Sequence, residues 1–222
     1  MKHSMERHIL VVLPHPDDEA FGLSGTLAKH IKNGSQVTYA CLTLGEMGRN
    51  MGNPIIASRI TLPSIRKKEL QDSCDAIGIQ DLRMLGFHDK TIEFEDQDLL
   101  DSRIDAIIKE VNPSLIFTFY PGYSVHPDHD ATGAAVVRTV GRIPKEQRPP
   151  VYCLAFAKNL EEGIGQPNVF NDVREFLPQK VQSILAHRSQ FQVAELLDEV
   201  DYTSKEIVDR FGTERFWIYP FD

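Results

Sequence analysis

Short apolar runs alternate along this chain with longer segments whose apolar residues recur at helical spacing. The short runs predict five strands, at residues 8–13, 36–42, 82–85, 115–120 and 151–156, of which the first is expected to be buried. Helical spacing between them predicts helices over residues 26–32, 65–77, 99–111 and 131–140. Such alternation is typical of an α/β fold, here a doubly wound, Rossmann-like parallel sheet with helices on both faces.

Two segments lack this regular pattern. Residues 43–63 contain three glycines and two prolines, which predicts a long loop of the kind that is usually functional in compact domains. After residue 156 the sequence predicts a loop and two or three helices, followed by an aromatic segment at residues 216–219. Asp96 or Asp98 is expected to cap the helix over residues 99–111.

Composition and charge narrow the class of protein. The 222 residues are 41% hydrophobic and 25% charged, which fits one domain, expected over residues 5–222 with residues 1–4 as an extension. No apolar run approaches the roughly 20 residues of a membrane helix, and no secretory signal is recognisable, so we expect a cytoplasmic protein. The net charge of −8 without a basic stripe argues against nucleic-acid binding. Three scattered cysteines argue against a disulfide framework.

Two clusters of histidine and aspartate each follow a predicted strand. The sequence HPDDE, beginning at His15, comes after the first strand, and HPDH, beginning at His126, lies in the loop after the fourth. In the common doubly wound strand order 3-2-1-4-5, the first and fourth strands are neighbours and ligands bind at their carboxyl ends. The predicted topology therefore brings two clusters that are far apart in sequence to one site.

These clusters have the composition of a catalytic metal site. Two histidines and a carboxylate, with a fourth position open for water, form a common catalytic zinc shell, and we assign ligation to His15, Asp18 and His129. Pro16 and Pro127 restrict the backbone of the histidines that precede them. A site built on such constrained segments loses little entropy when it binds a metal.

Acid and base groups remain beside the predicted metal. Asp17 and His126 are not needed as ligands, and a hydrolase needs such groups for proton transfer, whereas a structural metal site does not. Asp128 is expected to accept a hydrogen bond from His126, and so to keep that histidine protonated and oriented.

Taken one at a time, these residues have simpler explanations. Asp17 and Asp18 are reasonable caps for a helix that begins near Glu19, and Asp128 is a reasonable cap for the helix after the fourth strand. The two histidines of the second cluster alone would suggest a surface loop. Both clusters lie at the same kind of strand end, however, and together they favour a metal site.

The two motifs resemble those of the PIG-L/LmbE-like zinc deacetylases, which include enzymes of mycothiol and bacillithiol synthesis. The likeness runs over nearly the whole chain from Met5, and it is greatest for the bacillithiol branch. Besides the motifs, the similar segments are TLGE at residues 43–46, RKKEL at 66–70 and HRSQ at 187–190.

The resemblance implies a role for each site residue. It implies the same three ligands for Zn²⁺, with Fe²⁺ as the alternative, and Asp17 as the general base. It also implies that His126 is the acid or electrophilic partner, oriented by Asp128. Arg49, in the glycine-rich loop, is either a substrate contact or a solvated loop arginine. Tyr123 is the candidate for a mobile, substrate-binding tyrosine near the second motif.

Two further residues of the similar segments rank lower. Arg66 opens a helix and is expected to pair with Glu69 or with a neighbouring carboxylate. His187 lies on an amphipathic segment, where a core or interface role is expected.

The function expected from this resemblance is removal of the N-acetyl group from an N-acetylglucosaminyl conjugate, with N-acetylglucosaminyl-malate as the substrate. The alternatives are an amidase that acts on thiol-sugar S-conjugates and a non-catalytic module that binds a metal or a sugar. The presence of both Asp17 and His126 disfavours the module. The expected partners are a small amino-sugar substrate and further copies of the chain, in a trimeric or hexameric homo-oligomer.

Overall fold

A computed structural model describes residues 6–191 and 201–221. The proposed extension at residues 1–4 lies outside the described residues. Within them, one sheet has the strand order β3-β2-β1-β4-β5-β7-β6. The strands are β1 His8–Leu13, β2 Gln36–Cys41, β3 Asp81–Met84, β4 Leu115–Phe119, β5 Val151–Leu154, β6 Val169–Asp172 and β7 Thr213–Ile218.

The central strand shows why the sheet forms where the apolar runs lie. β1 is apolar from its second residue to its last because helices cover both faces of the sheet. Ile9 and Val11 belong to the core on one face, whereas Leu10 and Val12 belong to the core on the other. This alternation is the two-residue period of a strand.

Helices form a layer on each face of the sheet. α2 and α3 pack on one face, with α7 against them, and α4 and α5 pack on the other. The helices are α1 Asp18–Gly22, α2 Ser24–Lys32, α3 Leu62–Ile77, α4 Gln97–Val111, α5 Pro127–Gly141, α6 Leu160–Ile164, α7 Leu177–Ala186 and α8 Lys205–Phe211. Within residues 6–191 and 201–221, every helix is too short or too polar to cross a membrane.

The five predicted strands pair in parallel, in the predicted order. β1 lies between β2 and β4 and is parallel to both, and β3 and β5 continue the sheet outward in the same sense. The doubly wound α/β fold is therefore confirmed. Because β1 and β4 are neighbours, the two motifs that follow them emerge side by side at one edge of the sheet.

Some element boundaries differ from the predictions. α5 begins at Pro127, four residues earlier than expected, so the second motif lies on the first helical turn and not in a loop. Proline suits this position, where an amide hydrogen would have no helical partner. Of the two predicted caps for α4, Asp96 is the one used, and its side chain accepts a hydrogen bond from the Leu99 amide.

The sequence did not predict the last two strands. β7 pairs antiparallel with β5 and with β6, so the sheet is mixed at this end. Buried and exposed residues nearly alternate along β7, as they do in a strand near a sheet edge. A short segment of this kind becomes a strand through its neighbours, and those neighbours come from distant parts of the chain.

A buried ion pair fastens β7 to the helical layer. Lys180 of α7 and Glu214 of β7 are both almost fully buried, and they form an ion pair. Glu214 also accepts hydrogen bonds from the amides of Gly25 and Thr26, at the start of α2. One carboxylate therefore joins the edge of the sheet to two helices.

Replacing Lys180 by methionine should strongly destabilise the protein. The variant leaves the Glu214 carboxylate buried without a counter-charge, which costs roughly 3–5 kcal/mol. The free energy of unfolding from urea titrations measures the effect. Lys205→Met is the matched control, because Lys205 pairs with Asp209 on an exposed helix, where such a pair contributes about 0–1 kcal/mol. Equal small losses in both variants would contradict the assigned importance of the buried pair.

Candidate active site

A cavity of about 500 Å³ opens where the parallel strands end. Its walls come from the segments that follow five different strands and from the segment after α7. The described residues that line it are His15, Asp17, Asp18, Phe21, Met47, Gly48, Arg49, Arg66, Asp89, Lys90, Phe119, His126, His129, Phe156, Gln190 and Phe191. The topology thus collects one site from segments spread over most of the chain.

Three side chains converge on one point at the base of this cavity. His15 Nδ1 lies 3.2 Å from His129 Nε2 and 3.5 Å from Asp18 Oδ2, and His129 Nε2 lies 3.1 Å from Asp18 Oδ1. A tetrahedral ion with bonds of about 2.0–2.1 Å places its ligand atoms about 3.3 Å apart. Each of the three contacts is therefore close to the separation of neighbouring ligands in a tetrahedral shell, with one Asp18 oxygen facing each histidine.

Hydrogen bonds on the far side of each ring turn the correct nitrogens toward this point. His15 Nε2 contacts the carboxylates of Asp128 and Asp89 at 3.1 and 3.2 Å. His129 Nδ1 lies 3.2 Å from the carbonyl oxygen of Ser124, which only accepts hydrogen bonds. The proton of each neutral ring is thereby held away from Asp18, and the opposite nitrogen keeps a free lone pair.

The electrostatics of the cluster favour a bound cation. Burial opposes protonation of His15, but Asp128, Asp18 and Asp89 raise its pKa well above the usual value. Burial likewise opposes ionisation of Asp18, yet His129 and His15 lower its pKa. The carboxylates thus hold positive charge at this point, and a metal ion supplies it without requiring protonated histidines.

Two other groupings of ligand atoms lie near His15 and fit a metal less well. His126 is close to His15 and His129, but its Nδ1 already accepts a hydrogen bond from the Asp128 amide at 3.1 Å. Asp89 and Asp128 lie at the Nε2 side of His15. Asp128 does not line the cavity, and its oxygens already accept two backbone amides besides the His15 ring.

The predicted hydrogen bond from His126 to the Asp128 carboxylate is wrong. Asp128 is fully buried and directs its carboxylate to His15, whereas its backbone amide donates to His126 Nδ1. His126 is the N-cap of α5, so its ring is oriented by the start of that helix. Burial lowers the pKa of His126, and the charges of His15 and His129 add to this effect. The structure therefore orients a neutral His126 whose proton is on Nε2.

Asp17 is held by an arginine that the sequence analysis ranked low. Arg66 Nη2 lies 2.9 Å from Asp17 Oδ2, and the guanidinium also donates to the carbonyl oxygens of Gly45 and Pro16. Burial raises the pKa of Asp17 to about 6 against the opposing charge of Arg66, and Asp18 adds to the rise. Of the two expected partners, Arg66 thus uses the neighbouring carboxylate and not Glu69.

A buried network behind α1 fixes the backbone at Asp17. Asp17 adopts a left-handed conformation, φ 108°, which is unfavourable for a residue other than glycine. Its amide donates to Glu19 Oε2, and the other Glu19 oxygen lies 2.7 Å from His187 Nε2. Burial disfavours the ionised form of Glu19, but His187 lowers the pKa of this carboxyl. The expected core role of His187 is therefore a polar one, in support of the Asp17 turn.

The two predicted substrate contacts have different outcomes. Arg49 lines the cavity, on the loop after β2. Tyr123 does not line it, and its contact with substrate stays a prediction. Its ring lies against Gly163 of α6 and packs edge-on to Tyr120. A side chain at position 163 would clash with the Tyr123 ring.

The sequence analysis missed Asp89 and Lys90. Both follow β3, and both line the cavity at the same sheet edge as the recognised motifs. Their position after the carboxyl end of a parallel strand could have indicated them, since ligands bind at these strand ends. Neither belongs to a recognisable motif, and position alone did not separate them from ordinary loop residues.

Comparisons with known proteins agree with this site. A family model described as GlcNAc-PI de-N-acetylase (PIG-L) matches residues 10–140. A protein of Bacillus cereus named "Probable N-acetyl-alpha-D-glucosaminyl L-malate deacetylase 2" is 52% identical, and the alignment covers 98% of this chain and 100% of that protein.

Among solved structures, an N,N'-diacetylchitobiose deacetylase from Pyrococcus horikoshii superposes with a TM-score of 0.71, at 24% identity, over 97% of this chain and 84% of that one. A 4-carboxy-2-hydroxymuconate hydratase from Pseudomonas putida superposes with a TM-score of 0.73, at 18% identity, over 96% and 97% of the two chains. At these identities the superpositions establish only a shared fold. The sequence matches go further, and by them the chain belongs to the PIG-L family.

Proposed function

We propose that the protein is a zinc-dependent hydrolase that removes the N-acetyl group from N-acetylglucosaminyl-malate. The observation that carries the proposal is the convergence of His15, Asp18 and His129 at metal-ligand spacing, in a cavity that Asp17 and His126 also line. The name of the Bacillus cereus relative supports this choice of substrate. Within this proposal the three converging residues hold the metal.

A divalent metal in this shell supplies Lewis-acid chemistry, which makes a water molecule more acidic and an amide carbonyl more electrophilic. Asp17 serves as the general base that takes the proton from the attacking water. Its pKa of about 6 is close to the value that a base needs near neutral pH. The Arg66 contact fixes one carboxylate oxygen, so the geometry of the base does not depend on a freely rotating side chain.

His126 acts on the other side of the scissile amide. Its Nδ1 accepts the Asp128 amide, which leaves the Nε2 proton available to the cavity. A donor fixed by a helix start can stabilise negative charge on the amide oxygen with little reorganisation, and such donors contribute about 2.7–4 kcal/mol each. In this assignment His126 is a neutral hydrogen-bond donor, and not the protonated histidine that was expected from the sequence.

The cavity wall also fits the proposed aglycone. Malate carries two carboxylates, and a protein with a net charge of −8 does not attract them through its overall field. Recognition therefore requires local cations, and Arg49 is placed at the cavity to provide one. The homo-oligomer, the cytoplasmic location and the choice of zinc over iron stay predictions.

Removing any one of the three proposed ligands should remove the metal. His15→Ala, Asp18→Ala and His129→Ala each leave two ligands, so metal content measured by elemental analysis should fall well below one ion per chain. The rise in melting temperature on adding zinc should disappear as well. His8→Ala is the control, because His8 bonds to Thr38 at the opposite end of β1. Full metal content in any of the three variants would show that its ligand is misassigned.

Asp17→Asn should separate catalysis from metal binding. The amide keeps the shape of the side chain and an oxygen for Arg66, but it cannot accept the water proton. We expect unchanged metal content and a kcat for acetate release that is about 10²–10⁴ times lower. Asp98→Asn, on the exposed first turn of α4, should have wild-type kinetics. A kcat for Asp17→Asn within threefold of wild type would exclude Asp17 as the base.

Arg49→Ala should weaken recognition of malate more than recognition of the sugar. Loss of one charge-assisted contact costs about 1.5–3 kcal/mol, or roughly 10- to 150-fold in kcat/KM for N-acetylglucosaminyl-malate. Plain N-acetylglucosamine should be affected much less. Lys at position 49 should substitute poorly, because it cannot make the bidentate contact. Arg103→Ala, on the exposed side of α4, is the control. Equal losses on both substrates would mean that Arg49 supports the sugar or the loop.

A further inference from the structure

Lys90 is a cation of the cavity that the proposed mechanism does not use. Arg49, Arg66 and Lys90 line the cavity. The Arg66 guanidinium is engaged by Asp17 and by two carbonyl oxygens. Among residues 6–191 and 201–221, the side chains of Arg49 and Lys90 form no ion pair or hydrogen bond. Two positive charges without a partner among the described residues therefore line a cavity whose base is rich in carboxylates.

The backbone at Lys90 is held in an unfavourable conformation. Its φ of 65° lies in the left-handed region, which lysine rarely adopts. The conformation persists because the Lys90 amide donates to Asp128 Oδ2 at 2.7 Å, the same oxygen that contacts the ring of His15. The residue that orients a proposed metal ligand thus also fixes the position of Lys90. Strained residues held in this way concentrate at functional sites.

The segments that carry the two cations are tied to each other. The Met47 amide donates to Asp89 Oδ2 at 2.8 Å, and the Asp89 amide donates to Glu46 Oε2 at 3.1 Å. Arg49 lies two residues beyond the first of these bonds, and Lys90 is next to Asp89. The loops after β2 and β3 are therefore hydrogen bonded to each other, and each of them contributes one cation to the same cavity.

Two like charges on one cavity wall repel each other, and an anion that contacts both offsets this repulsion. A group with one carboxylate satisfies one cation, whereas a dicarboxylate can satisfy both. Arginine binds a carboxylate through a planar, two-pronged contact, and lysine binds one as a flexible point charge. The pair is thus suited to two carboxylates in different orientations on a small aglycone.

We propose that Lys90 is a specificity-determining residue that binds one carboxylate of the malate aglycone while Arg49 binds the other. The proposal rests on the deacetylase function argued above and extends it to the choice of aglycone. It predicts that the enzyme distinguishes substrates by the number of carboxylates on the aglycone, and that Lys90 contributes to this distinction independently of the metal.

The test uses three substrates with two, one or no carboxylates, namely the N-acetylglucosaminides of malate, of glycolate and of methanol. Lys90→Asn removes the charge with a residue that tolerates left-handed backbone. We expect kcat/KM for the malate conjugate to fall at least about tenfold, mainly through KM, and that for the methyl glycoside to change less than about twofold. Lys90→Arg should restore most of the lost activity, and Lys67→Ala, on the exposed side of α3, should leave all three values unchanged.

The double variant Arg49→Ala/Lys90→Asn examines whether the two cations act on different carboxylates. If they do, the two losses should multiply on the malate conjugate, and the double variant should treat all three substrates nearly alike. Losses that are equal on all three substrates would overturn the proposal and assign Lys90 a role in the loop. Metal content and melting temperature, measured on the same preparations, show whether the variant is folded.

Failure of the proposed deacetylase function and failure of the proposed role of Lys90 give different experimental results. Wild-type enzyme that releases no acetate from the malate conjugate would overturn the proposed function, and the role of Lys90 with it. If the wild-type enzyme hydrolyses this conjugate and Lys90→Asn has the same kcat/KM on every substrate, only the role of Lys90 is overturned.

Discussion

The buried carboxylate of Asp128 connects the fold to the chemistry of the site. Asp128 lies on the first turn of α5, which follows β4. Its carboxylate contacts the ring of His15 after β1 and accepts hydrogen bonds from the amides of Lys90 and Ile92 after β3. A carboxyl group with no exposed surface is stable only when its oxygens are hydrogen bonded, and these partners meet that requirement. Three loops from three strands are thereby locked together, and the proposed metal position and the Lys90 side of the cavity share one anchor.

The distribution of charge in the cavity follows from this arrangement. Carboxylates concentrate at the base, around His15 and Asp18, where they favour a bound cation. Arg49 and Lys90 lie on the wall, where they favour an anionic group on the substrate. Separation of the two signs allows one small cavity to hold a metal ion and an anionic aglycone together. The same separation would allow a protein with an acidic overall balance to bind the negatively charged substrate proposed above, because short-range contacts outweigh a screened long-range field.

The architecture alone would not have identified the activity. The hydratase from Pseudomonas putida has the same overall fold with a TM-score of 0.73, although its name describes a different reaction. Fold and function are separable in this sense, because function depends on the side chains that a fold presents at the ends of its strands. The proposed metal ligands, the Asp17–Arg66 pair and His126 at the N-cap of α5 are therefore more specific to the proposed activity than the sheet that presents them.

The sequence by itself determined the five parallel strands, because short runs of apolar and β-forming residues alternate with longer segments of helical spacing. It also determined the two motifs, and with the strand order it placed His15, Asp18 and His129 together. Only the tertiary structure decided the hydrogen-bond partners. Asp128 turns to His15 and not to His126, and Arg66 reaches Asp17 across 49 positions of sequence. The pairing of the antiparallel strands and the position of Lys90 in the cavity were also decided only by the tertiary structure. Both depend on neighbours that are distant along the chain, and local sequence patterns do not identify those neighbours.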